Sequence, residues 1–415
     1  MLDGVTAQTV RRAQHAPARP SRPAPSAASE PPLLVVLDGD GLLHRAYHGY
    51  SDAGDRDALG RPTWALRGLV TALAQAAARL RPDAVLVALD SHEDSLRAGR
   101  HAAYKAHRPE KDRDLQTQLD LAPDLLGAAG VPFACVRGYE GDDVMASAAA
   151  LARDGGWRSV LVTSDRDTFA LVDDTTSVLR VSDGGVESGT LVTPSQVRLA
   201  YGVLPSQYRD LAALRGDPSD NLPGAPGVGE KTAAKLLGAF GSLDEAYAAL
   251  DDDREAEVAA VVGAACAAAL ADPAVRDVVD LNRQLMTMHD HLPLPELDDC
   301  RLPLEPARLT AALRARGIGL GRSLWALVGA EPPAWEPNGY DTVPKALRLT
   351  DDAPAPWEVR VVPTLAELAD LRAETAKVLD RLPRTKDGRT IDLTATRRKA
   401  AARTVEACDD QLELF

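Results

Sequence analysis

Nine acidic side chains fall where a pair of divalent cations would need them: Asp38, Asp90, Glu140, Asp142, Asp143, Asp165, Asp167, Asp217 and Asp220. Four of them follow apolar runs. Leu33-Leu34-Val35-Val36-Leu37 ends at Asp38, and Ala84-Val85-Leu86-Val87-Ala88-Leu89 ends at Asp90. Val160-Leu161-Val162 leads through Thr163-Ser164 to Asp165 and Asp167. Glu140-Gly141-Asp142-Asp143 lies between the second and third runs, and Gly216-Asp217-Pro218-Ser219-Asp220 follows later. Continuous apolar runs of this kind read as parallel strands buried on both faces. An open α/β sheet binds ligands at the carboxyl ends of its strands, so these acids are expected to meet at one sheet edge. Clustered, buried carboxylates repel one another and lose hydration. Hard cations that prefer oxygen, Mg²⁺ or Mn²⁺, offset both effects. Two such ions about 3.5–4 Å apart are the arrangement that hydrolyses phosphodiesters. Any one acid taken alone reads as a cap or turn residue; the full set following strand ends does not.

The bulk numbers leave room for this chemistry. The 415 residues suffice for two domains and a tail. Hydrophobic content of 45% builds a core, and with only 4% aromatic residues Ala, Leu and Val must fill it. A formal net charge of −14 argues against a uniformly basic nucleic-acid binder. It does not exclude a nuclease, whose acids repel phosphate only until metals arrive. Cys135, Cys266, Cys300 and Cys408 are scattered without zinc spacing, as reduced cysteines in a cytoplasmic protein would be. No run of 18 apolar residues occurs, so no membrane span is expected. The N-terminus lacks the apolar region of a secretory signal.

The elements that must position the acids follow from periodicity. Residues 1–31, rich in Ala, Pro, Arg and Ser, read as a disordered extension. Residues 32–190 alternate strands with Ala/Leu-rich helical stretches, the pattern of a doubly wound α/β sheet. Helices are expected over 64–80, stopped by Pro82, and over 142–153, stopped by Gly155-Gly156. Residues 191–330 read as all-helical: Thr193-Pro194-Ser195 opens one helix, and others are expected over 233–240 and 243–250. Residues 331–415 read as a linker-like tail with one helix near 365–382.

Other motifs discriminate between chemistries. Asp38-Gly39-Asp40-Gly41 after a strand resembles the nucleophile motif of haloacid-dehalogenase-like phosphatases. That reading leaves Glu140-Gly141-Asp142-Asp143 and the later modules without a role. A third reading is a non-catalytic module that binds flap DNA. Gly227-x-Gly229-x-Lys231-Thr232 is not a phosphate-binding P-loop, because Glu230 separates the last glycine from the lysine and no strand precedes it. It reads as a hairpin between helices whose N–H groups face a DNA phosphate, with Lys231 and Lys235 on the same track. The segment 94–114 is basic, with Arg97, Arg100, Lys105 and Arg108 and no apolar period. A lysine there could stabilise charge on a scissile phosphate, and Tyr104 could stack on an unpaired base. From charge alone a solvated face explains the segment equally well.

Taken together, residues 33–290 resemble the 5′→3′ exonuclease domain of bacterial DNA polymerase I and its stand-alone relatives in the flap endonuclease superfamily. The matching stretches are Leu37-Asp38-Gly39, Ala88-Leu89-Asp90, Tyr104-Lys105 with Arg97 and Arg108, Gly138-Tyr139-Glu140-Gly141-Asp142-Asp143, Thr163-Ser164-Asp165-Arg166-Asp167, and Gly216-Asp217-Pro218-Ser219-Asp220-Asn221-Leu222-Pro223-Gly224. The last runs on into Gly227-Val228-Gly229-Glu230-Lys231-Thr232. The resemblance implies a PIN-like parallel sheet followed by a helix–three-turn–helix DNA-binding domain. It implies that the nine acids hold two metals, that Arg97 and Lys105 sit in a helical arch near 94–114, and that Tyr104 lies near an unpaired base. It further implies a potassium ion on the carbonyls around Gly227 and Gly229. Asp40 departs from the family pattern, which has a neutral polar residue there. With fewer than 100 residues beyond about 330, a stand-alone nuclease is expected rather than a polymerase. The implied work is removal of 5′ flaps and RNA primers from DNA in replication and repair, by a monomer in the bacterial cytoplasm at the nucleoid. The last five residues, Gln411-Leu412-Glu413-Leu414-Phe415, resemble a sliding-clamp-binding pentapeptide, with Leu and Phe as apolar anchors.

Overall fold

The three apolar runs become the centre of one sheet. The computed structural model describes residues 30–332, apart from 52, 53, 183 and 321–323. The N-terminal extension up to residue 29, the expected helix near 365–382 and the terminal pentapeptide lie outside the described residues. In chain order the first region holds β1 (Leu33–Asp38), α1 (Gly39–Gly49), α2 (Trp64–Leu80), β2 (Ala84–Leu89), α3 (Leu96–Arg100), α4 (Arg113–Ala129), β3 (Phe133–Cys135), α5 (Gly141–Asp154), β4 (Arg158–Thr163), β5 (Thr176–Ser182) and β6 (Gly185–Val192). The strand order is β3-β2-β1-β4-β5-β6, and all neighbours are parallel except β5 with β6. Every residue of β2 is buried, as expected of a strand covered on both faces. The chain winds outward from β1 to β3 and then returns to lay β4 beside β1. That reversal is the topological switch point, where an α/β sheet opens a crevice for ligands.

Local chemistry fixes the helices that line the crevice. α2 ends where Arg81 turns left-handed (φ 50°), ahead of Pro82. α5 opens with a cap from its own first turn: the Asp143 side chain accepts from the Glu140 N–H at 3.0 Å, while the Asp143 N–H donates to the Glu140 carbonyl at 3.0 Å. The basic segment does not form an extended helical arch. Only the five-residue α3 is helical, followed by turns over 102–107. Its lack of an apolar stripe gives a longer helix nothing to pack, and its cations bond to nearby acids instead.

The second region holds α6 (Pro194–Tyr201), α7 (Pro205–Arg215), β7 (Gly216–Asp217), β8 (Leu222–Pro223), α8 (Glu230–Phe240), α9 (Leu243–Asp251), α10 (Glu255–Val262), α11 (Ala264–Ala271), α12 (Pro273–Leu285) and α13 (Pro306–Ala315). It is not purely helical, because β7 and β8 pair into a small antiparallel ribbon. Glycine makes this ribbon feasible. A Cβ on Gly216 would lie 2.3 Å from the Gly224 nitrogen, and one on Gly224 would lie 2.2 Å from the Arg215 oxygen.

Residues after about 300 return to the first region. Ala84 and Arg301 form a β-bridge, and Leu302 donates to the Asp83 carbonyl at 2.9 Å. Leu304, Leu309, Leu313, Ile318, Leu324 and Leu327 join the hydrophobic core built by α2, α4, β1 and β2. Among the described residues no helix is long and apolar enough to cross a membrane.

Candidate active site

Asp38 ends β1 and caps α1. Its Oδ1 accepts from the Gly41 N–H at 2.8 Å, and its Oδ2 accepts from the Thr163 hydroxyl of the adjacent strand β4 at 2.7 Å. Burial nevertheless pushes the carboxyl up to about 7. Asp90 follows β2, and its Oδ1 accepts from the Gly141 N–H at 2.7 Å, which ties the end of β2 to the start of α5. Burial, and then the charge of Asp40, raise Asp90 to about 6. Asp142, in the first turn of α5, is raised by burial and then by Asp165, Asp38 and Asp90. Asp167 opens a 3₁₀ turn (Asp167–Leu171) and rises to about 7 through burial, then Asp165, Asp217 and Asp220. Acids from five separate chain segments therefore feel one another at the carboxyl edge of β1, β2 and β4.

The donor set suits hard divalent cations by its chemistry. It is all oxygen, it is desolvated, and burial and mutual repulsion raise its proton affinities despite nearby cations such as Lys105. It is not a ready-made cage: among the described residues, no three His, Cys, Asp or Glu side chains converge as a metal-holding group.

The basic segment closes over these acids, and here several expectations change. Arg97 grips Asp143 with both terminal nitrogens, at 2.6 and 2.7 Å, while its Nε donates to the Leu285 carbonyl at 2.7 Å. Asp143 is fully buried and also accepts from the His289 N–H at 2.9 Å. In this arrangement Asp143 serves as the arginine's counter-ion, with both oxygens taken by Arg97 and by backbone N–H groups, and Arg97 does not lie open to a phosphate. A buried guanidinium needs a carboxylate more than an exposed one does. Tyr104 is also inside, 6% exposed against Leu222 and Leu285, with its hydroxyl donating to Glu140 Oε2 at 3.1 Å. Its ring therefore packs core and is not a stacking platform.

Lys105 remains at the site. Its backbone is left-handed (φ 54°), and its Nζ lies 2.8 Å from Glu140 Oε2 and 3.9 Å from Asp220 Oδ2. Burial opposes its charge, but the two acids prevail and raise its proton affinity. Arg108 bonds Asp220 Oδ1 at 2.7 Å, and Asn221 Nδ2 bonds the Ala103 carbonyl at 2.8 Å. The basic segment is thus latched to the β7–β8 ribbon. Asp217 holds Ser219 through its N–H and hydroxyl, both at 2.8 Å. Arg100 is exposed at the end of α3.

One pair was not found from sequence. Asp40 accepts from the Asp90 N–H at 2.8 Å and faces His92 Nε2 at 3.3 Å. The symmetry of the spacing, each two residues beyond an acid of the set, was the available signal.

In the hairpin, Gly227 takes φ +77° and Gly229 caps α8. Lys231 and Lys235 are exposed one turn apart, and Thr232 is half-buried between them. The Gly227 carbonyl accepts from the Cys266 thiol at 3.4 Å. The hairpin makes no hydrogen bond to the nine acids among the described residues.

Two family models meet end to end on this chain. The 5′-3′ exonuclease N-terminal resolvase-like domain matches residues 33–202, and the 5′-3′ exonuclease C-terminal SAM fold matches residues 203–307. A 5′-3′ exonuclease of Mycobacterium tuberculosis is 36% identical over 289 residues, covering 64% of this chain and 90% of that protein. DNA polymerase I of the same organism is 38% identical over 283 residues, covering 68% of this chain and 30% of its own length. Among solved structures, T5 5′-exonuclease with bound zinc aligns with 97% of its chain and 72% of this one, at 19% identity and a TM-score of 0.48. The chain belongs to the 5′-3′ exonuclease family, with the PIN-like resolvase sheet followed by the family's helical domain. It spans about a third of the polymerase relatives. Membership sets aside the haloacid-dehalogenase-like phosphatase reading.

Proposed function

We propose that this chain is a structure-specific 5′→3′ exonuclease and flap endonuclease that hydrolyses DNA phosphodiesters with two divalent cations. The observation that carries the proposal is the desolvated acid cluster at the switch point of a 5′-3′ exonuclease fold, with Lys105 held against it. Asp38, Asp90, Glu140 and Asp142 would hold one cation, and Asp165, Asp167, Asp217 and Asp220 the other. Such a pair supplies Lewis acidity toward phosphoryl oxygens and a more acidic attacking water. The chain's own part is to keep these acids dry and mutually close, and to aim Lys105 at charge developing on the phosphate. Lys231, Lys235, Thr232 and the N–H groups around Gly227 and Gly229 would hold the duplex, and Arg100 and Arg108 the strand near the cut.

Mg²⁺ or Mn²⁺ would fill the metal sites, and potassium would sit on the carbonyls around Gly227 and Gly229. RNA primers are a natural second substrate, since cutting reads the backbone. The final five residues, Gln411, Leu412, Glu413, Leu414 and Phe415, would tether the nuclease to a sliding clamp and raise its local concentration on DNA. A bacterial cytoplasmic monomer at the nucleoid accords with this work. Incubation of a labelled 5′-flap duplex with the protein in Mg²⁺, and then in EDTA, tests the central claim. Cleavage in Mg²⁺ alone is expected. Binding without any metal-dependent cut would favour a non-catalytic flap-DNA module instead.

A further inference from the structure

The basic segment and a pair of divalent cations would compete for the same oxygens. Lys105 Nζ lies 2.8 Å from Glu140 Oε2 and 3.9 Å from Asp220 Oδ2. The nuclease reading above gives Glu140 to one cation and Asp220 to the other, so a single ammonium reaches into both groups. Arg108 takes the other Asp220 oxygen at 2.7 Å, and the Tyr104 hydroxyl shares Glu140 Oε2 at 3.1 Å. Further bonds seat the segment on the turn between β7 and β8. The Lys105 N–H donates to the Asp220 carbonyl at 3.0 Å, and Arg108 Nε donates to the Ser219 carbonyl at 3.2 Å. Asn221 Nδ2 donates in return to the Ala103 carbonyl at 2.8 Å. The seat is not a relaxed one. Lys105 holds φ 54°, a left-handed backbone that residues with a Cβ disfavour. A divalent ion that takes Glu140 and Asp220 removes the partners of Lys105 and sets like charge beside its ammonium.

We propose that residues 103–108 form a latch that closes on the acid cluster and that divalent metal, without DNA, releases. Lys105 and Arg108 act as built-in counter-ions to two of the metal-holding acids, and release leaves both free to face a phosphate. The coupling is reciprocal: whatever loosens the latch must tighten metal binding. The inference rests on the nuclease reading above, and its test separates the two. Mg²⁺ binding to the full chain is measured by calorimetry without DNA, and amide hydrogen exchange over residues 103–108 is followed in the same titration. Exchange at the Lys105 amide should quicken as Mg²⁺ binds. Asn221→Gly suits the left-handed backbone at that position (φ 60°) and deletes the bond to Ala103 without touching an acid. It should tighten Mg²⁺ binding by about 2- to 10-fold, the weight of one hydrogen bond. Mg²⁺ that binds while exchange holds level or slows overturns the latch and leaves the nuclease reading standing. Unchanged or weaker Mg²⁺ affinity in Asn221→Gly overturns it as well. Wild-type protein that binds no Mg²⁺ overturns the latch together with the two-cation nuclease.

Discussion

Arg97 and Asp143 meet as a two-pronged ion pair in the interior, 2.6 and 2.7 Å long, with Asp143 wholly shielded from solvent. Through it α3, the start of α5 and the chain just after α12 are pinned together, because Arg97 also holds the Leu285 and Thr287 carbonyls and Asp143 holds the His289 N–H. Removing one partner strands the other charge. Arg97→Met should therefore lose about 3–5 kcal/mol of stability, read by denaturant unfolding in EDTA. Arg97→Met with Asp143→Leu should recover much of it. A fully stable Arg97→Met that cuts poorly would return Arg97 to the phosphate.

Tyr104 and Lys105 are neighbours with separable roles. Tyr104→Phe removes one hydrogen bond to Glu140 and should lower stability by about 0.5–1.5 kcal/mol with flap affinity intact. Lys105→Ala should reduce single-turnover cleavage by about 10²-fold or more while the fold holds. Anisotropy and quench-flow on the same samples decide between them.

Asp142→Ala takes one carboxylate out of the mutually repelling set. Cleavage in Mg²⁺ should vanish and flap binding in Ca²⁺ should remain. Turnover at the wild-type rate would remove Asp142 from the metal site.

The carboxyls of Asp38 and Asp167 sit at about 7 and that of Asp90 at about 6, against 3.8 in an open chain. The folded state thus binds more protons than the unfolded state between about 4 and 7. Stability from these groups is present at the acid end of that window and is lost as pH rises through it. Metal-free protein should melt lower at pH 8 than at pH 6. Added Mn²⁺ should narrow or reverse the gap, because cations take the place of the protons. A metal-free melting point that climbs from pH 6 to pH 8 contradicts the acid cluster as described.

The sheet and its acids were legible because parallel strands buried on both faces leave unbroken apolar runs, and each run here ended on an acid or led to one. Helix ends were equally plain: Pro82 behind α2 and Thr193-Pro194 before α6 each act within one turn. What the pattern did not carry was which charge meets which. Arg97 and Asp143 are 46 residues apart, and nothing local marks them as partners. Tyr104 looked like a surface aromatic in a basic stretch, yet Leu222 and Leu285 enclose it from the other region. The β7–β8 ribbon was hidden because two-residue strands have no period to detect.

The return of residues 301–328 to the sheet sets where the protein can be trimmed. A fragment ended near 300 would open a greasy hollow beside α2 and α4 by deleting Leu304, Leu309, Leu313, Ile318, Leu324 and Leu327. Expression designs that keep Val328 preserve the apolar cover over α2 and α4; shorter ones invite aggregation before any DNA is offered.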